Sequence, residues 1–334
     1  MTQMSENKHT RYDLAQMQSL PLEAKILMTK ERIRQWYEHW NGMVYVSFSG
    51  GKDSTVLKHI VDSMYDDVPA LFVDTGLEYP EIRKFVNQVR TCNRGGYENF
   101  NHDVQIVRPD MRFDEVLKTY GYPVISKRVS GYISTAKRNP DSMRAKWIRG
   151  EEWTKFVTAG KYAYLIDSPF LISDSCCGVM KKKPAKKFAK ETGRRPITGQ
   201  MACESLSREK SWINNGCNGF NLKEPMSNPL AFWTEQDILN YLKTYNVPYC
   251  SIYGDIVETN KGLQTTGCSR TGCIFCMFGC HREKEPNRFQ RLKQTHPRQY
   301  DYCINGGEMV DGKWQPSKDG LGLGKVLDYI GVKY

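Results

Sequence analysis

The sequence predicts an α/β protein built on a doubly wound parallel sheet with helices on both faces. In the first half of the chain, short apolar segments rich in β-branched and aromatic residues alternate with segments whose apolar residues recur at helical spacing. A glycine-rich turn, residues 49–51, joins the first of these strands to the following helix. Alternation of this kind is typical of a parallel sheet, in which ligands bind at the carboxyl ends of the strands.

The individual elements follow from their residue patterns. Residues 12–40 are expected to form a helical extension, because Leu22, Ile26 and Ile33 recur at helical spacing. Short apolar, β-branched segments predict strands over 43–49, 69–76 and 104–109, with a further strand ending at 196–200. Helical spacing predicts helices over 54–65, 80–89, 113–121 and 234–249, the last with Thr234 as a suitable N-cap.

Two regions show no regular pattern. Residues 131–160 are basic and aromatic and are expected to form loops over the site, and the residues after Tyr249 are rich in cysteine. We therefore expect a helical extension over 1–40, a nucleotide-binding domain over 41–250 and an irregular, cysteine-rich region over 251–334.

Charge and hydropathy limit the environment of the chain. Its 334 residues include 48 Lys and Arg against 37 Asp and Glu, a formal net charge of +11 that attracts nucleotides or nucleic acid. No apolar segment approaches the roughly 20 residues that cross a bilayer. The polar first residues lack the apolar core of a signal peptide. We expect a cytoplasmic protein without a membrane partner.

The segment SGGKDST, residues 49–55, has the composition of a phosphate-binding loop. Glycines let backbone N–H groups approach an anion, and the N-terminus of the following helix adds its dipole. Lys52 supplies positive charge, although the Walker spacing is absent. The expected nucleotide-binding residues lie here and after the neighbouring strands: Ser47, Ser49, Gly50, Gly51, Lys52, Asp53, Ser54, Thr55, Asp74, Thr75, Gly76 and Gly199.

The eleven cysteines are expected to be reduced thiols, because the cytoplasm is reducing. Cys273 and Cys276 form a C-x2-C pair, a spacing that binds a metal centre well, and Cys268 and Cys280 flank it. Two more ligands are needed, and Cys268 and Cys280 would give a compact local knuckle. Five scattered cysteines are expected to be packing residues: Cys92, Cys203, Cys217, Cys250 and Cys303.

These motifs resemble a known family. SGGKDS resembles the PP-loop of the ATP pyrophosphatases, which transfer AMP and release pyrophosphate. The chain is most similar to the phosphoadenosine phosphosulfate (PAPS) reductase branch, over roughly residues 41–282. The segments that carry this resemblance are VDTGLEYPEIRKFV (73–86), CCGVMKKKPAKKF (176–188), PITGQMACESLSR (196–208), NPLAFWTEQDILNYLKTYNVPY (228–249) and TGCSRTGCIFC (266–276).

The sequence departs from the family pattern in two important respects. Sulfonucleotide reductases carry a C-terminal E-C-G-[IL]-H segment whose cysteine attacks the sulfonate, and nothing in this sequence matches it. Those reductases also have a degraded phosphate loop, whereas residues 51–54 keep the form of ATP-cleaving members. A smaller departure lies at Gln200 and Met201, within the I-T-G-x-R stretch. The two larger departures favour an ATP-dependent sulfur-handling enzyme similar to the DndC-type proteins of DNA phosphorothioation.

The resemblance also bears on the metal ligands. The block that begins with Cys176 and Cys177 is similar to one in cluster-bearing adenylylsulfate reductases, which implies that these two residues complete a site with Cys273 and Cys276. We favour this tandem pair over Cys268 and Cys280, and a [4Fe–4S] cluster over zinc, since the sequence has one C-x2-C pair. Cys268 or Cys280 would then be the thiol that carries or resolves sulfur.

Three hypotheses for function remain. In the first, the enzyme binds ATP with Mg²⁺ at the loop, adenylates an acceptor and delivers sulfur from a donor such as a cysteine desulfurase. In the second, it reduces adenylylsulfate or PAPS to sulfite with a thiol reductant such as thioredoxin. In the third, it is a nucleotide-sensing protein that binds nucleic acid, which could also be the acceptor in the first.

The first hypothesis assigns roles to charged residues. Lys52 and the loop amides would hold the phosphates, and Asp53 would position Mg²⁺ or the loop. Asp74 would bind metal or the ribose. The cations expected to neutralise a polyanionic substrate are Lys182, Lys183, Arg194, Arg195 and, as a catalytic residue, Arg208.

Overall fold

The computed structural model describes residues 8–154 and 160–334. The strands are β1 Val44–Ser47, β2 Ala70–Val73, β3 Val104–Val107, β4 Val124–Ile125, β5 Arg195–Thr198, β6 Asn218–Gly219, β7 Met226–Ser227, β8 Ile256–Thr259, β9 Gly262–Thr265, β10 Met277–Phe278, β11 Glu308–Val310 and β12 Lys313–Gln315. The α-helices are α1 Arg11–Gln18, α2 Leu22–His39, α3 Lys52–Asp62, α4 Pro80–Thr91, α5 Phe113–Tyr120, α6 Lys127–Arg138, α7 Met143–Arg149, α8 Lys183–Thr192, α9 Leu206–Asn215, α10 Glu235–Thr244, α11 Arg288–Thr295, α12 Pro297–Ile304 and α13 Leu323–Tyr329.

The described residues form two compact units, each assembled from separate stretches of chain. Unit 1 contains the described residues up to Asp74 together with Glu78–Val107 and Ala185–Thr271. Unit 2 contains Thr75–Leu77 and the described residues of Arg108–Pro184 and Gly272–Tyr334. This grouping does not follow chain order, unlike the three consecutive regions expected from the sequence.

Unit 1 is built on a six-stranded sheet in the order β3-β2-β1-β5-β7-β6. The first five strands pair in parallel, and β6 runs antiparallel to β7. The parallel sheet predicted from the sequence is therefore confirmed. The chain moves outward from β1 through β2 to β3 and then returns to the other side of β1 as β5. This reversal makes the carboxyl ends of β1 and β5 a topological switch point, where open α/β sheets bind ligands.

The sheet is held by a continuous apolar core. Val46 of β1 lies in register with Ile197 of β5, and both side chains are fully buried. Val56 and Ile60 of α3 and Trp233, before α10, belong to the same core. Burial of each such side chain stabilises the fold by roughly 1.5–3 kcal/mol. The core thus anchors β1 and α3, the two elements that the loop joins.

Some predicted elements differ from the observed ones. The single helix expected over 12–40 is instead two helices, α1 and α2. The break lies at Pro21, which has an extended backbone and is the N-cap of α2. A proline also disfavours helical backbone angles in the residue before it. The loops expected over 131–160 instead include most of α6 and all of α7. The buried residues Val129 and Ile133 are one helical turn apart in α6, and Ala145 and Ile148 have helical spacing in α7. Residues 155–159 of that segment lie outside the described residues.

The region expected to be irregular contains regular structure. Helices α11, α12 and α13 and the hairpin β11–β12 lie after the cysteine cluster in unit 2. Helices α11 and α12 have eight residues each. Within the described part of the chain, no helix is both long and apolar enough to cross a membrane.

Candidate functional site

The phosphate loop of unit 1 connects β1 to α3 at the switch point. Ser47 is the last residue of β1, and Gly50 has a positive φ of +71°, which favours glycine. A Cβ on Gly50 would lie 2.9 Å from methyl carbons of Ile82 and Val86, so glycine is also required sterically. Gly51 is the N-cap of α3, and no side chain caps this helix start. The Lys52 N–H donates to the Tyr253 hydroxyl, so an anion would be bound by the N–H groups that follow it in the first turn of α3.

Hydroxyl groups fix the shape of the loop. The Ser49 N–H donates to Ser54 Oγ at 3.1 Å. The Ser54 and Thr55 hydroxyls each donate to the Gly51 carbonyl at 2.9 Å. These side chains hold the loop in the form that presents its amides, which is a different contribution from direct contact with phosphate.

Lys52 is nearly buried and already has protein partners. Its Nζ donates to the Ser269 carbonyl at 2.5 Å and lies 2.9 Å from Glu235 Oε1. The same ammonium lies 5.3 Å from the centre of the Tyr253 ring, and the Lys52 N–H donates to the Tyr253 hydroxyl at 3.2 Å. Tyr253 in turn lies 2.7 Å, oxygen to oxygen, from Thr271. Residues 269–271 thus pack against the loop.

Asp53 is the one loop residue with an unsatisfied polar atom among those that the structure describes. Its Oδ1 is buried without a hydrogen-bond partner. Burial raises the pKa of the carboxyl group, while Lys52 opposes this shift. Arg270 and Arg208 also lie close enough to act on it. An orphaned carboxylate oxygen beside a phosphate loop suits a hard cation such as Mg²⁺, which takes oxygen ligands.

Gly199 explains how β5 reaches the loop. A Cβ at this position would lie 3.1 Å from the Asp53 carbonyl oxygen and 3.3 Å from the Ser54 nitrogen. A side chain at this position would press on the loop backbone, so glycine suits the end of β5.

The residues after β2 are divided between the units. Asp74, in unit 1, accepts a hydrogen bond from Arg83 Nε at 2.8 Å, and its own N–H donates to the Val107 carbonyl. Thr75 and Gly76 belong to unit 2, where Thr75 Oγ1 accepts from the Leu77 N–H at 3.1 Å. The Asp74 carboxylate therefore binds an arginine in this structure.

Two predicted substrate cations are placed wrongly for that role. Arg194 donates to the Gly42 and Val44 carbonyls at 3.2 and 2.9 Å, and Arg195 lies over the Trp40 ring. Both stand at the amino ends of β1 and β5, whereas the loop follows the carboxyl end of β1. Of the others, Lys182 is exposed, Lys183 pairs with Asp110, and Arg208 pairs with Glu204.

Unit 2 contains a small cavity, of about 20 Å³, with four thiols in its wall. Pairing of β4 with β10 and the hydrogen bond from Ile274 N–H to Leu77 O place the C-x2-C segment. A hydrogen bond from Ser173 N–H to Tyr122 O, at 3.2 Å, holds the segment before the tandem pair next to β4. Apolar residues and one lysine complete the lining. The complete lining is Leu77, Phe113, Pro123, Cys176, Cys177, Met180, Lys181, Cys273 and Cys276. The tandem pair and the C-x2-C pair therefore face one cavity.

The two thiols of the tandem pair differ in the direction of their pKa shifts. A hydrogen bond from Cys176, helped by the cations of Lys127 and Lys181, lowers the pKa of Cys177 to about 6, although burial opposes the shift. The same bond and burial raise the pKa of Cys176. A π-helical turn, Gly178–Lys182, directly follows the pair, and such turns are frequent at functional sites.

The four thiols are the side chains of unit 2 that could hold a thiolate-bound metal centre. Structural zinc needs its thiolates about 2.3 Å from one point, and no group of three or more His, Cys, Asp or Glu in the described ranges is arranged to hold a metal ion. A [4Fe–4S] cluster would use all four thiolates. Arg288 supports this wall by donating to the Cys276 carbonyl at 2.8 Å.

The other two cysteines of the local knuckle lie elsewhere. Cys280 is buried, donates to the Met277 carbonyl at 3.0 Å and has a pKa that burial raises to about 12. It is therefore protonated at neutral pH. Cys268 belongs to unit 1, directly before the segment that packs on Lys52. Neither residue lines the cavity.

Several residues at the loop were not predicted from the sequence. Glu235, Tyr253 and the 269–271 segment come from distant parts of the chain and carry no motif that points to the loop. Cys203, expected to be a packing residue, is exposed and lies close enough to Asp53 and Arg270 for their charges to act on its thiol.

The fold and loop define a class of nucleotide-binding α/β proteins, and comparison with known families narrows it. The family model described as phosphoadenosine phosphosulfate reductase domain matches residues 43–141 and 148–278. The chain belongs to the PAPS reductase family, as its motifs predicted.

Named relatives agree with this assignment. The adenosine 5'-phosphosulfate reductase of Pseudomonas aeruginosa is 23% identical over 286 residues, which cover 83% of this chain and 82% of that protein. The phosphoadenosine 5'-phosphosulfate reductase of Proteus mirabilis is 21% identical and covers 76% of this chain and 84% of its own length. An uncharacterized protein of Methanocaldococcus jannaschii is 23% identical over 85% of this chain, which spans only about half (52%) of that relative's length.

Solved structures are more distantly similar. The PAPS reductase of Candida auris, in a phosphate complex, is 18% identical with a TM-score of 0.38, covering 67% of this chain and 82% of that chain. The FMN adenylyltransferase of Candida glabrata, in complex with ATP, is 14% identical with a TM-score of 0.37, covering 76% of this chain and 68% of that chain.

Proposed function

We propose that the protein is a sulfonucleotide reductase that binds adenylylsulfate or PAPS at the 49–55 loop and releases sulfite. The observation that carries this proposal is the cavity where Cys176 and Cys177 face the same space as Cys273 and Cys276. The named reductases among the relatives support it, since they cover most of this chain. This is the second of the three sequence hypotheses, and the comparisons favour it over the first.

At the loop, the residues of unit 1 would hold the nucleotide's anionic groups. The uncapped N-terminus of α3 offers backbone N–H donors to the phosphosulfate, and Lys52 adds a nearby cation. Arg270 and Arg208 contribute positive charge around Asp53. Reduction consumes two electrons, which a dithiol partner would supply as it becomes a disulfide. Sulfite then leaves together with AMP from adenylylsulfate, or with adenosine 3′,5′-bisphosphate from PAPS.

In unit 2, the four cavity thiols would hold a [4Fe–4S] cluster. When bound, such a cluster supplies a local charge and a redox-active centre. The apolar lining from Leu77, Phe113 and Met180 limits water at the thiols, and the Arg288 contact fixes the Cys276 backbone.

A second function, ATP-dependent activation of an acceptor with pyrophosphate release and sulfur transfer, is favoured by one observation. The orphaned Asp53 Oδ1 would gain a partner if Mg²⁺ bound with ATP. The undegraded SGGKDS loop supports the same function.

One experiment separates the two functions. Anaerobically purified protein is incubated with adenylylsulfate or PAPS and a dithiol, and in parallel with ATP, Mg²⁺ and candidate acceptors. Without added ATP, we expect the first reaction to give sulfite with AMP from adenylylsulfate, or with adenosine 3′,5′-bisphosphate from PAPS. Pyrophosphate in the second reaction, with no sulfite in the first, would establish the ATP-dependent function instead.

A further inference from the structure

Glu235 holds the cation that a bound nucleotide would need. It is the first residue of α10, and its carboxylate lies 2.9 Å from Lys52 Nζ. The lysine side chain is 5% exposed and the glutamate 45%, so Lys52 is enclosed while Glu235 faces solvent on one side. Glu235 is not needed to start the helix, because Thr234 and Asp237 form the capping box.

The charges around the loop are already balanced by protein groups. The positive charges of Lys52, Arg270 and Arg208 interact electrostatically with the Asp53 carboxylate, and so does the negative charge of Glu235. Arg208 also forms an ion pair with Glu204. Three cations (Lys52, Arg270 and Arg208) are therefore balanced by the three carboxylates of Asp53, Glu235 and Glu204. An anion entering this cluster meets the helix N-terminus and the cations, but it also meets Glu235 directly beside Lys52.

We propose that Glu235 is a specificity-determining residue that makes the loop prefer a nucleotide ending in a sulfonate to one ending in a phosphate. This inference rests on the proposed function, in which the loop binds a nucleotide's anionic end. A terminal sulfonate carries one negative charge, whereas a terminal phosphate carries about 1.5 to 2 at pH 7. Coulomb repulsion from a fixed carboxylate rises in proportion to that charge. Glu235 therefore penalises ADP and ATP more than adenylylsulfate.

Adenylylsulfate and ADP are a suitable ligand pair because they have the same shape and differ in the terminal group. Dissociation constants for both are measured by titration calorimetry in EDTA at pH 7.5 and low ionic strength, with the wild-type chain and with Glu235→Gln. Glu258→Gln, an exposed glutamate on β8, is the matched control for loss of one negative charge. Thermal unfolding of each variant checks that the fold is kept.

We expect Glu235→Gln to lower the dissociation constant of ADP about tenfold and that of adenylylsulfate about threefold or less. The difference arises because the repulsion that is removed scales with the charge of the ligand. Glu258→Gln should leave both constants unchanged. Equal gains for the two ligands, or none, would overturn the role of Glu235 in specificity.

Failure of the proposed function gives a different result. If neither nucleotide binds the wild-type chain or either variant, the nucleotide site itself is wrong, and this inference falls with it. If the ADP preference changes as expected while adenylylsulfate and a dithiol yield no sulfite, Glu235 keeps its role and the reductase function is rejected.

Discussion

The phosphate loop takes its main groups from consecutive residues, whereas the cysteine cavity takes its thiols from two distant segments, 176–177 and 273–276. At the loop, most polar atoms are satisfied by nearby protein groups, and Lys52 is bonded on two sides. In the cavity, the thiols share their wall mainly with apolar side chains. A ligand at the loop must compete with protein groups that already bind the loop's polar atoms. A cluster in the cavity would instead bind thiols that are surrounded mainly by apolar side chains.

The strongest way to break this comparison is to remove a cavity thiol. Anaerobically isolated wild-type protein should contain about four iron and four sulfide per chain, and Cys273→Ala or Cys176→Ala should eliminate both, because the cluster needs four thiolates. Metal and sulfide analysis with the visible spectrum measures this. Cys92→Ala is the control and should retain the cluster.

Two results would contradict the cavity assignment. Stoichiometric zinc without sulfide would replace the cluster with a single-ion site. Loss of iron in Cys268→Ala and Cys280→Ala, with retention in Cys176→Ala, would show that the local knuckle provides the ligands.

The next largest effect is expected at the loop. Lys52→Ala should weaken adenylylsulfate binding or turnover by ~10²–10³-fold, since it removes a preorganised cation and leaves Glu235 to repel the anion. Arg194→Ala removes a cation at the amino edge of the sheet and should change the same constants less than about twofold. Calorimetry and sulfite release provide the measurements. Similar losses in both variants would mean that the affinity depends on overall charge and not on the loop.

A smaller effect tests the loop backbone. Gly50→Ala should destabilise the fold by roughly 1–3 kcal/mol, because φ is +71° and the new methyl group would clash with Ile82 and Val86. Gly51→Ala is the control: its φ is −75°, and its nearest contact would be 3.2 Å from Ser49 Oγ. Chemical denaturation monitored by circular dichroism measures the difference. Equal stability of the two variants would show that the positive φ and the close contacts at Gly50 do not require glycine.

The smallest effect concerns Asp53 and depends on pH. Burial raises the pKa of this carboxyl group in the folded state, so ionisation of Asp53 disfavours folding. The penalty is present above the folded-state pKa and absent below the unfolded pKa of about 4. Asp53→Asn should therefore raise the free energy of unfolding at pH 7 by about 1 kcal/mol, and the gain should shrink as the pH falls towards about 4. Asp66→Asn, at an exposed site, should show no gain. A gain that is the same at pH 7 and pH 4 would exclude the ionisation of Asp53 as its cause.

Local sequence determined the strands, the helices next to them and the loop. β1, β2, β3 and α10 lie within the ranges predicted for them, because their signals come from adjacent residues: apolar β-branched segments, a glycine turn and the Thr234 cap. The tandem cysteines were proposed from a family resemblance, and the structure places them with Cys273 and Cys276.

Tertiary structure decided which groups meet. The partners of Lys52, namely Glu235, Tyr253 and Ser269, are far from it in sequence and carry no pattern that connects them to the loop. The opposite edge position of Arg194 follows from the register of β5 on β1, which local composition does not specify. Residue type and spacing define a loop or a helix because those interactions are local. The balance of charge at Lys52 depends on contacts between distant segments, which form only when the core packs.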